Sequence, residues 1–237
     1  MPELKGGLLD AGGTLFRVKY SRAERIGRFL REVGFNPDPE ALERATVEAD
    51  LEFSWPEPDV RSRNEEWKVW LAYCRRVLAA LELPADPELV RRLAEAADYL
   101  NYLEVFPDTV PALEAWRRQG LRLGIISNAT PSFREAIDRV GLTPFFDTII
   151  ISAEVGLRKP DRAIFRLGLQ RLHLEPGEAF FIDDLPRNVQ AARDLGLTGL
   201  LIVRSPEVDP PEGLPAVRHL TDFLGGQGAG CPLSQID

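Results

Sequence analysis

The sequence predicts an α/β protein in which a mostly parallel sheet carries a helical insertion after its first strand. Short, nearly continuous apolar segments alternate with helical patterns in the first ten residues and again from about residue 121 to 203. This alternation is typical of a parallel sheet that helices cover on both faces. Between about Arg17 and Leu103 the pattern is helical only, with apolar residues at steps of three and four. We therefore expect a helical module inserted into an α/β domain.

The elements of the α/β domain are assigned from apolar runs and helix-start signals. The predicted strands are residues 4–10, Leu121–Ile126, Thr148–Ser152, Ala179–Ile182 and Gly199–Val203. Helices are expected to begin at Thr130-Pro131, Lys159-Pro160-Asp161 and Leu185-Pro186, because a proline falls in the first turn at each place. The predicted core comprises residues 1–16 and 104–224.

The helical module is expected over residues 17–103, where three apolar stripes mark its helices. The stripes are Ile26, Phe29, Leu30 and Val33; Trp67, Trp70, Leu71, Cys74, Val77, Leu78 and Leu81; and Leu89, Val90, Leu93, Ala97 and Leu100. We interpret Trp55, Trp67 and Trp70 as core residues rather than substrate contacts. After the core, the glycine-rich stretch that opens residues 225–237 predicts a disordered tail.

Composition excludes several classes of function. The net charge is −8 and no basic run could follow a phosphate backbone, so we expect no nucleic-acid partner. No apolar run approaches the length of a membrane span, and Met1-Pro2-Glu3-Leu4-Lys5 is not a signal peptide, so a cytoplasmic location is expected. Cys74 and Cys231 are interpreted as unpaired thiols, and His173 and His219 lack neighbours at metal-ligand spacing. The sequence does not indicate an oligomeric state.

Four polar pieces follow predicted strands or open predicted helices. They are Asp10-Ala11-Gly12-Gly13-Thr14-Leu15, Ser127-Asn128, Lys159, and Asp183-Asp184 with the later Asn188. Open α/β sheets place their ligands at the carboxyl ends of the strands, so these pieces are expected to converge. Adjacent carboxylates repel each other, which favours binding of a cation such as Mg²⁺ between them. A lysine offsets the negative charge of a phosphate that lies beside a carboxylate nucleophile. The hydroxyl of Ser127 and the amide of Asn128 could hold an oxyanion.

These pieces, in this order, resemble the haloacid dehalogenase superfamily of aspartate-nucleophile hydrolases. The resemblance covers essentially residues 4–203 and includes the helical insertion after the first motif, as in the first subfamily. It implies a Rossmann-like core, a mobile α-helical cap domain and a small phosphorylated molecule as substrate. It also implies that Asp10 is the nucleophile that forms an aspartyl-phosphate, assisted by Lys159.

The resemblance implies roles for the remaining motif residues. Thr14 is similar to the threonine that orients the first turn, and Ser127 is similar to the hydroxyl that binds a phosphoryl oxygen. The magnesium site is expected to use the carboxylates Asp10, Asp184 and Asp183 with the main-chain carbonyl of Gly12. Asn188 is expected just outside these ligands.

The first motif departs from that of the family's phosphatases at one position. Those enzymes have a second aspartate, a general acid and base, where this chain has Gly12. The main-chain carbonyl at this position is still present in Gly12, but the carboxylic acid is lost. General acid–base catalysis by such a group is worth about 10² to 10⁴ in rate. An alkyl phosphate, whose leaving alkoxide needs a proton, should therefore be a poor substrate. An aryl or acyl phosphate, whose leaving group departs readily, should lose less of its hydrolysis rate.

The leading interpretation is a Mg²⁺-dependent phosphohydrolase of weak or specialised activity. A second is cleavage of a 2-haloacid, because the dehalogenase first motif also lacks that aspartate; the paired acids Asp183-Asp184 argue against it. A third is phosphonate cleavage through a cap lysine, for which only Lys19 and Lys68 are available. A fourth is a protein without catalytic activity that binds a phosphometabolite or a partner. No cap residue is assigned to the substrate.

Overall fold

The computed structural model of the chain describes residues 3–53 and 60–224. These fall into two compact units. The first is built from residues 3–17, 105–129 and 137–224, and the second from residues 18–53, 60–104 and 130–136. Trp55, Cys231 and the predicted tail at 225–237 lie outside the described residues.

The first unit is built on a six-stranded sheet whose neighbouring strands all run parallel. The strands of the described chain are β1 Gly6–Leu9, β2 Phe16–Val18, β3 Leu103–Val105, β4 Arg122–Ser127, β5 Thr148–Ile151, β6 Ala179–Asp183, β7 Thr198–Ile202 and β8 Ala216–Val217. The order in the large sheet is β5-β4-β1-β6-β7-β8. The predicted α/β class with a parallel sheet is confirmed. All five predicted strands are present, and their ends differ from the predicted ends by no more than two residues.

The central position of β1 explains how the polar motifs meet. Leu9 is paired with Ile125 of β4 on one side and with Ile182 of β6 on the other. Asp10 therefore follows β1 at the same edge of the sheet where Ser127 and Asp183 end their strands. All four residues of β1 are buried. Gly7 is required there, because a side chain at this position would occupy the space that the ring of Phe180 fills.

The helices of both units are amphipathic, and most begin at a recognisable cap. They are α1 Arg22–Glu32, α2 Pro39–Glu52, α3 Arg63–Ala80, α4 Pro87–Ala96, α5 Thr109–Arg118, α6 Phe133–Arg139, α7 Ser152–Val155, α8 Arg162–Leu172 and α9 Pro186–Arg193. The side chain of Asp161 accepts a hydrogen bond from the amide of Ala163, which sets the start of α8 as predicted. The start of α9 at Pro186 is also confirmed.

The predicted helix start at Thr130-Pro131 is wrong by about one turn, since α6 begins at Phe133. The hydroxyl of Thr130 and both the amide and the hydroxyl of Ser132 bind the carboxylate of Glu66 instead. This side-chain acceptor takes the place of the helical backbone bonds that the proline signal suggested.

The second unit packs α1 to α4 around its own core. Two helices begin with capping boxes, Ser21 with Glu24 and Ser62 with Glu65. The core is made of the three predicted apolar stripes, except for Leu100, joined by residues of α2. Trp70 is buried and its indole N–H donates to the carbonyl of Ala94 at 2.9 Å, so its interpretation as a core residue is confirmed. Trp67 packs against the same core.

The two segments at which the chain enters and leaves the helical unit, near residues 16 and 105, pair with each other. Strands β2 and β3 form a two-stranded sheet, and the amide of Lys19 donates to the carbonyl of Tyr102 at 2.8 Å. The expectation that residues 17–103 are helical only is therefore wrong at its two ends. Strands of three residues are too short for an alternating pattern to be visible in the sequence. The described residues contain no helix that is both long enough and apolar enough to cross a membrane.

Candidate active site

A buried lysine joins two carboxylates at the carboxyl edge of the sheet. The Nζ of Lys159 donates to Oδ1 of Asp10 at 2.6 Å and to Oδ2 of Asp183 at 2.7 Å. Lys159 is 3% exposed, Asp10 7% and Asp183 fully buried. Charges removed from water in this way are tolerated only when they are paired and hydrogen-bonded. The sequence prediction that these residues converge is thus matched by direct contacts.

The backbone of Lys159 is held by Asn128. The Nδ2 of Asn128 donates to the carbonyl of Lys159 at 2.8 Å, and the amide of Lys159 donates to Oδ1 of Asn128 at 2.8 Å. Both ends of the Asn128 side chain are therefore used to position the lysine. Ser127, immediately before it, is the last residue of β4 and is 3% exposed.

Asp183 uses both carboxylate oxygens within the protein. Its Oδ1 accepts from the amide of Leu185 at 2.8 Å and from Nδ2 of Asn188 at 3.1 Å. Its Oδ2 accepts from Lys159 and, at 3.1 Å, from the same amide of Asn188. The sequence analysis named Asp183 among the metal ligands. Its observed bonds fix the lysine and the turn that follows β6.

The neighbouring Asp184 lies against the glycine turn that follows β1. Gly13 has a φ of +82°, and a Cβ built on it would lie closer than 3.0 Å to Oδ2 of Asp184. Gly13 therefore provides both the left-handed backbone and the space that this carboxylate needs. The amide of Gly13 donates to the carbonyl of Phe16 at 2.8 Å, and Gly12 forms a β-bridge with the same residue. Thr14 is fully buried.

The carboxylates of the site lack enough positive charge. Burial raises the pKa of Asp10 to about 7; Lys159 opposes the shift, and the charges of Asp183 and Asp184 add to it. Burial and the charge of Asp183 raise the pKa of Asp184 to about 6. Burial disfavours the charged form of Lys159, but the two bonded carboxylates outweigh it and raise its pKa above the ordinary value. One ammonium thus faces three acidic groups, which favours binding of a further cation.

Mg²⁺ fits the donor set that remains. Within residues 3–53 and 60–224, no group of three His, Cys, Asp or Glu side chains is arranged to hold a metal ion. Mg²⁺ does not need one, because it is usually bound through one or two carboxylates and keeps several waters and substrate oxygens. Asp184 occupies the space beside Gly13 that a side chain would fill. Its negative charge contributes to the raised pKa of Asp10. Asp10 and Asp184 are therefore a suitable pair of ligands.

The sequence analysis did not anticipate the residues that hold the first turn in place. Arg204 donates through Nη2 to the carbonyl of Thr14 at 2.5 Å and through Nη1 to both oxygens of Asp108, at 2.8 and 2.7 Å. The hydroxyl of Thr109 donates to the carbonyl of Leu15 at 2.7 Å. These contacts join residues that are far apart in the chain, and no local pattern marks them.

A second unanticipated residue is Glu66 in the helical unit. It is 2% exposed and accepts bonds from the hydroxyl of Thr130 at 2.7 Å and from the amide and hydroxyl of Ser132 at 2.8 and 2.5 Å. This carboxylate explains why residues 130–136 belong to the second unit. The segment begins only two residues after Asn128.

The two lysines considered for phosphonate cleavage are on the surface. Lys19 and Lys68 are exposed, and Lys19 lies over the ring of Tyr20, 5.5 Å from its centroid. Neither is buried, as a lysine that forms a Schiff base in an apolar pocket would be. Arg17 is exposed and lies 5.7 Å from the ring centroid of Phe106. Cys74 is a buried, free thiol, as expected.

Comparison with known proteins identifies several relatives. The chain is 33% identical to the phosphoserine phosphatase of Thermus thermophilus over 87% of this chain and 82% of that protein. It is 31% identical to the glyceraldehyde 3-phosphate phosphatase of Methanopyrus kandleri over 68% of this chain and 73% of that protein. The fold matches that of a solved L-2-haloacid dehalogenase with a TM-score of 0.66 and 26% identity, covering 94% of this chain and 98% of the other.

The family model for haloacid dehalogenase-like hydrolases matches residues 5–196. This range runs from β1 past α9 and contains Asp10, Ser127, Lys159 and Asp184. With most of its length matched, the chain belongs to the haloacid dehalogenase-like hydrolases.

Proposed function

We propose that this protein is a Mg²⁺-dependent phosphohydrolase that works through an aspartyl-phosphate on Asp10. The observation that carries the proposal is the buried ammonium of Lys159, which lies 2.6 Å from Oδ1 of Asp10. A carboxylate that attacks a phosphate must overcome repulsion between two anions, and a fixed cation next to it reduces that repulsion.

In the first step an oxygen of Asp10 attacks the phosphorus atom. The bond from phosphorus to the leaving oxygen breaks, and the leaving group departs with its electron pair. Lys159 and the hydroxyl of Ser127 donate hydrogen bonds to the oxygens of the transferring group, where negative charge is concentrated. Water then attacks the aspartyl-phosphate, which releases inorganic phosphate and restores Asp10.

Mg²⁺ would be held by Asp10, Asp184 and the carbonyl of Gly12, and it would neutralise charge on the phosphate oxygens. We assign Asp183 a different role from the metal ligand expected from the sequence. Because both of its oxygens already accept bonds, its task is to hold Lys159 in place, with Asn188 holding Asp183 in turn.

The substrate proposed is a small phosphorylated metabolite with a leaving group that departs without a proton. Two relatives, named as a phosphoserine phosphatase and a glyceraldehyde 3-phosphate phosphatase, support a small phosphomonoester as substrate, although the substrates in their names are alkyl phosphates. Gly12 in place of the acid supports the restriction on the leaving group.

The test is a phosphatase panel with and without Mg²⁺. We expect Mg²⁺-dependent release of phosphate from p-nitrophenyl phosphate, lost in Asp10→Asn. Gly12→Asp should raise turnover of alkyl phosphates more than that of aryl phosphates, by up to about 10². Unchanged activity in the Asp10→Asn variant would exclude this mechanism. If no phosphate is turned over but a phosphometabolite still raises the melting temperature, the protein is a binding protein instead.

A dehalogenase is the second candidate, favoured by one observation. A halide leaves carbon without a proton, so Gly12 is no handicap, and the solved dehalogenase is 26% identical to this chain. In that reaction Asp10 would displace the halide from carbon 2 of a haloacid to form an ester, which water then hydrolyses. Chloride release from 2-chloropropionate in the presence of EDTA would support this reaction, and its absence would exclude it.

A further inference from the structure

A groove opens in the first unit beside the proposed metal ligand. It has a volume of about 610 Å³, and Gly13 and Asp184 form one end of it. The rest of its lining comes from Arg17, Phe106 and Pro186, and from residues of β7 and of the loop that follows it, between 201 and 211. Pockets for small organic ligands typically measure about 300 to 1,000 Å³. The groove is thus large enough for an organic group of one or two rings.

The lining of the groove is mostly apolar. Leu201 and Val203 are buried and form its floor. Val208, on the loop after β7, is 53% exposed, although most large apolar side chains of the described residues are buried. An apolar side chain held at the rim of a groove, next to other apolar residues, is suited to contact an apolar ligand.

The charged residues that line the groove are Arg17, Asp184 and Arg204. Arg204 forms two bonds to the carboxylate of Asp108, and its guanidinium lies over the ring of Phe106, 4.1 Å from the centroid. Its charge is therefore balanced within the protein, and the guanidinium of Arg17 lies against the same ring, 5.7 Å from the centroid. Recognition in this groove must come mainly from the contact of apolar and aromatic surfaces.

We propose that this groove receives the organic group of an aryl phosphate, and that the substrate class of the enzyme is therefore aromatic phosphoesters. The inference depends on the proposed phosphohydrolase function. Two independent features agree on it: an aryl oxide leaves without protonation, as Gly12 requires, and an apolar groove lies directly beside Asp184 and the turn that carries Asp10. A sugar or amino-acid phosphate would satisfy neither feature.

The experiment compares two substrates in two variants. 1-Naphthyl phosphate can fill the groove, whereas acetyl phosphate also has a good leaving group but is too small to reach Val208. Val208→Asp places a charge at the rim. Val47→Asp is the matched control, since Val47 is 49% exposed on α2 of the helical unit.

We expect Val208→Asp to lower kcat/KM for 1-naphthyl phosphate about tenfold relative to that for acetyl phosphate, mainly through KM, because contact with about one apolar side chain is lost. Val47→Asp should leave the ratio of the two substrates unchanged. If Val208→Asp also leaves the ratio unchanged, the groove does not bind the organic group and the inference is wrong.

Failure of the proposed function has a separate signature, which is that the wild-type protein turns over neither substrate. Calorimetric titration of 1-naphthyl phosphate then tests binding to the groove independently of catalysis. It is carried out on Asp10→Asn and on the double variant that also contains Val208→Asp. About tenfold weaker binding in the double variant supports the groove. Equal affinities, or no binding to either protein, overturn it.

Discussion

Gly13→Ala tests the placement of Asp184 with a single methyl group. The added Cβ would lie closer than 3.0 Å to Oδ2 of Asp184, whereas ordinary contact begins at 3.4 Å. The carboxylate must therefore move by at least about 0.4 Å, in a kind of site whose ligands are normally held to within about 0.5 Å. A misplacement of about 1 Å can cost about 10² in rate. We expect at least a tenfold loss of Mg²⁺-dependent turnover and a weaker affinity for Mg²⁺.

The backbone contributes a second effect that must be separated from the first. Gly13 has a φ of +82°, and alanine in this region costs about 1 kcal/mol of stability. Gly120→Ala is the matched control, because Gly120 has a φ of +79° and nothing lies within 4 Å of its added Cβ. Both variants should lower Tm by about 2 to 4 °C. Only Gly13→Ala should impair the enzyme.

The assays are thermal unfolding, calorimetric titration of Mg²⁺ and p-nitrophenyl phosphate hydrolysis at a range of Mg²⁺ concentrations. Wild-type Mg²⁺ affinity in Gly13→Ala would show that Asp184 does not bind the metal from its observed position. An equal loss of activity in Gly120→Ala would show that backbone strain, and not contact with Asp184, is the cause.

Three further predictions concern the same site and its support. Asn128→Ala removes both bonds that hold the backbone of Lys159, so kcat should fall about tenfold at an unchanged circular dichroism spectrum; an unaltered kcat would show that the clamp is dispensable. Because burial raises the pKa of Asp10 to about 7 and of Asp184 to about 6, both must lose protons to bind Mg²⁺. Apparent Mg²⁺ affinity should then fall about a thousandfold from pH 8 to pH 5, measured by titration, and a pH-independent affinity would contradict this. Glu66→Ala removes a carboxylate that accepts from three buried donors, two of which, the hydroxyls of Thr130 and Ser132, also contact another hydroxyl. It should lower stability by about 1 to 3 kcal/mol in denaturant unfolding, whereas a loss below about 0.5 kcal/mol would show that water replaces the carboxylate.

Much of the core could be predicted because its signals are local. The apolar runs gave the strands of the large sheet, and the carboxyl-edge rule brought Asp10 and Lys159 together although 149 residues separate them. The contact from Arg204 to the carbonyl of Thr14, across 190 residues, could not be predicted. An arginine after a strand has no pattern that distinguishes it from a surface charge, and its partner is a backbone atom. The same holds for Glu66, whose partners lie 64 and 66 residues away.

The detailed roles within the site depended on hydrogen-bond partners rather than residue type. Asp183 and Asp184 are adjacent and chemically identical in the sequence. The structure separates them, because Asp183 bonds Lys159, Asn188 and an amide, while Asp184 lies against Gly13. Sequence alone assigns a pair of acids to a metal, and only the geometry indicates which of them is available.

The attachment of the first turn to the last part of the chain has a consequence during synthesis. Arg204 holds the carbonyl of Thr14, and Asp108, its partner, accepts a bond from the amide of Leu220 at 2.6 Å. The surroundings of Asp10 are therefore complete only after residue 220 has left the ribosome. A growing chain carries Asp10 in unfinished surroundings until that point, and any activity should arise abruptly once residue 220 is available rather than in proportion to the length synthesised.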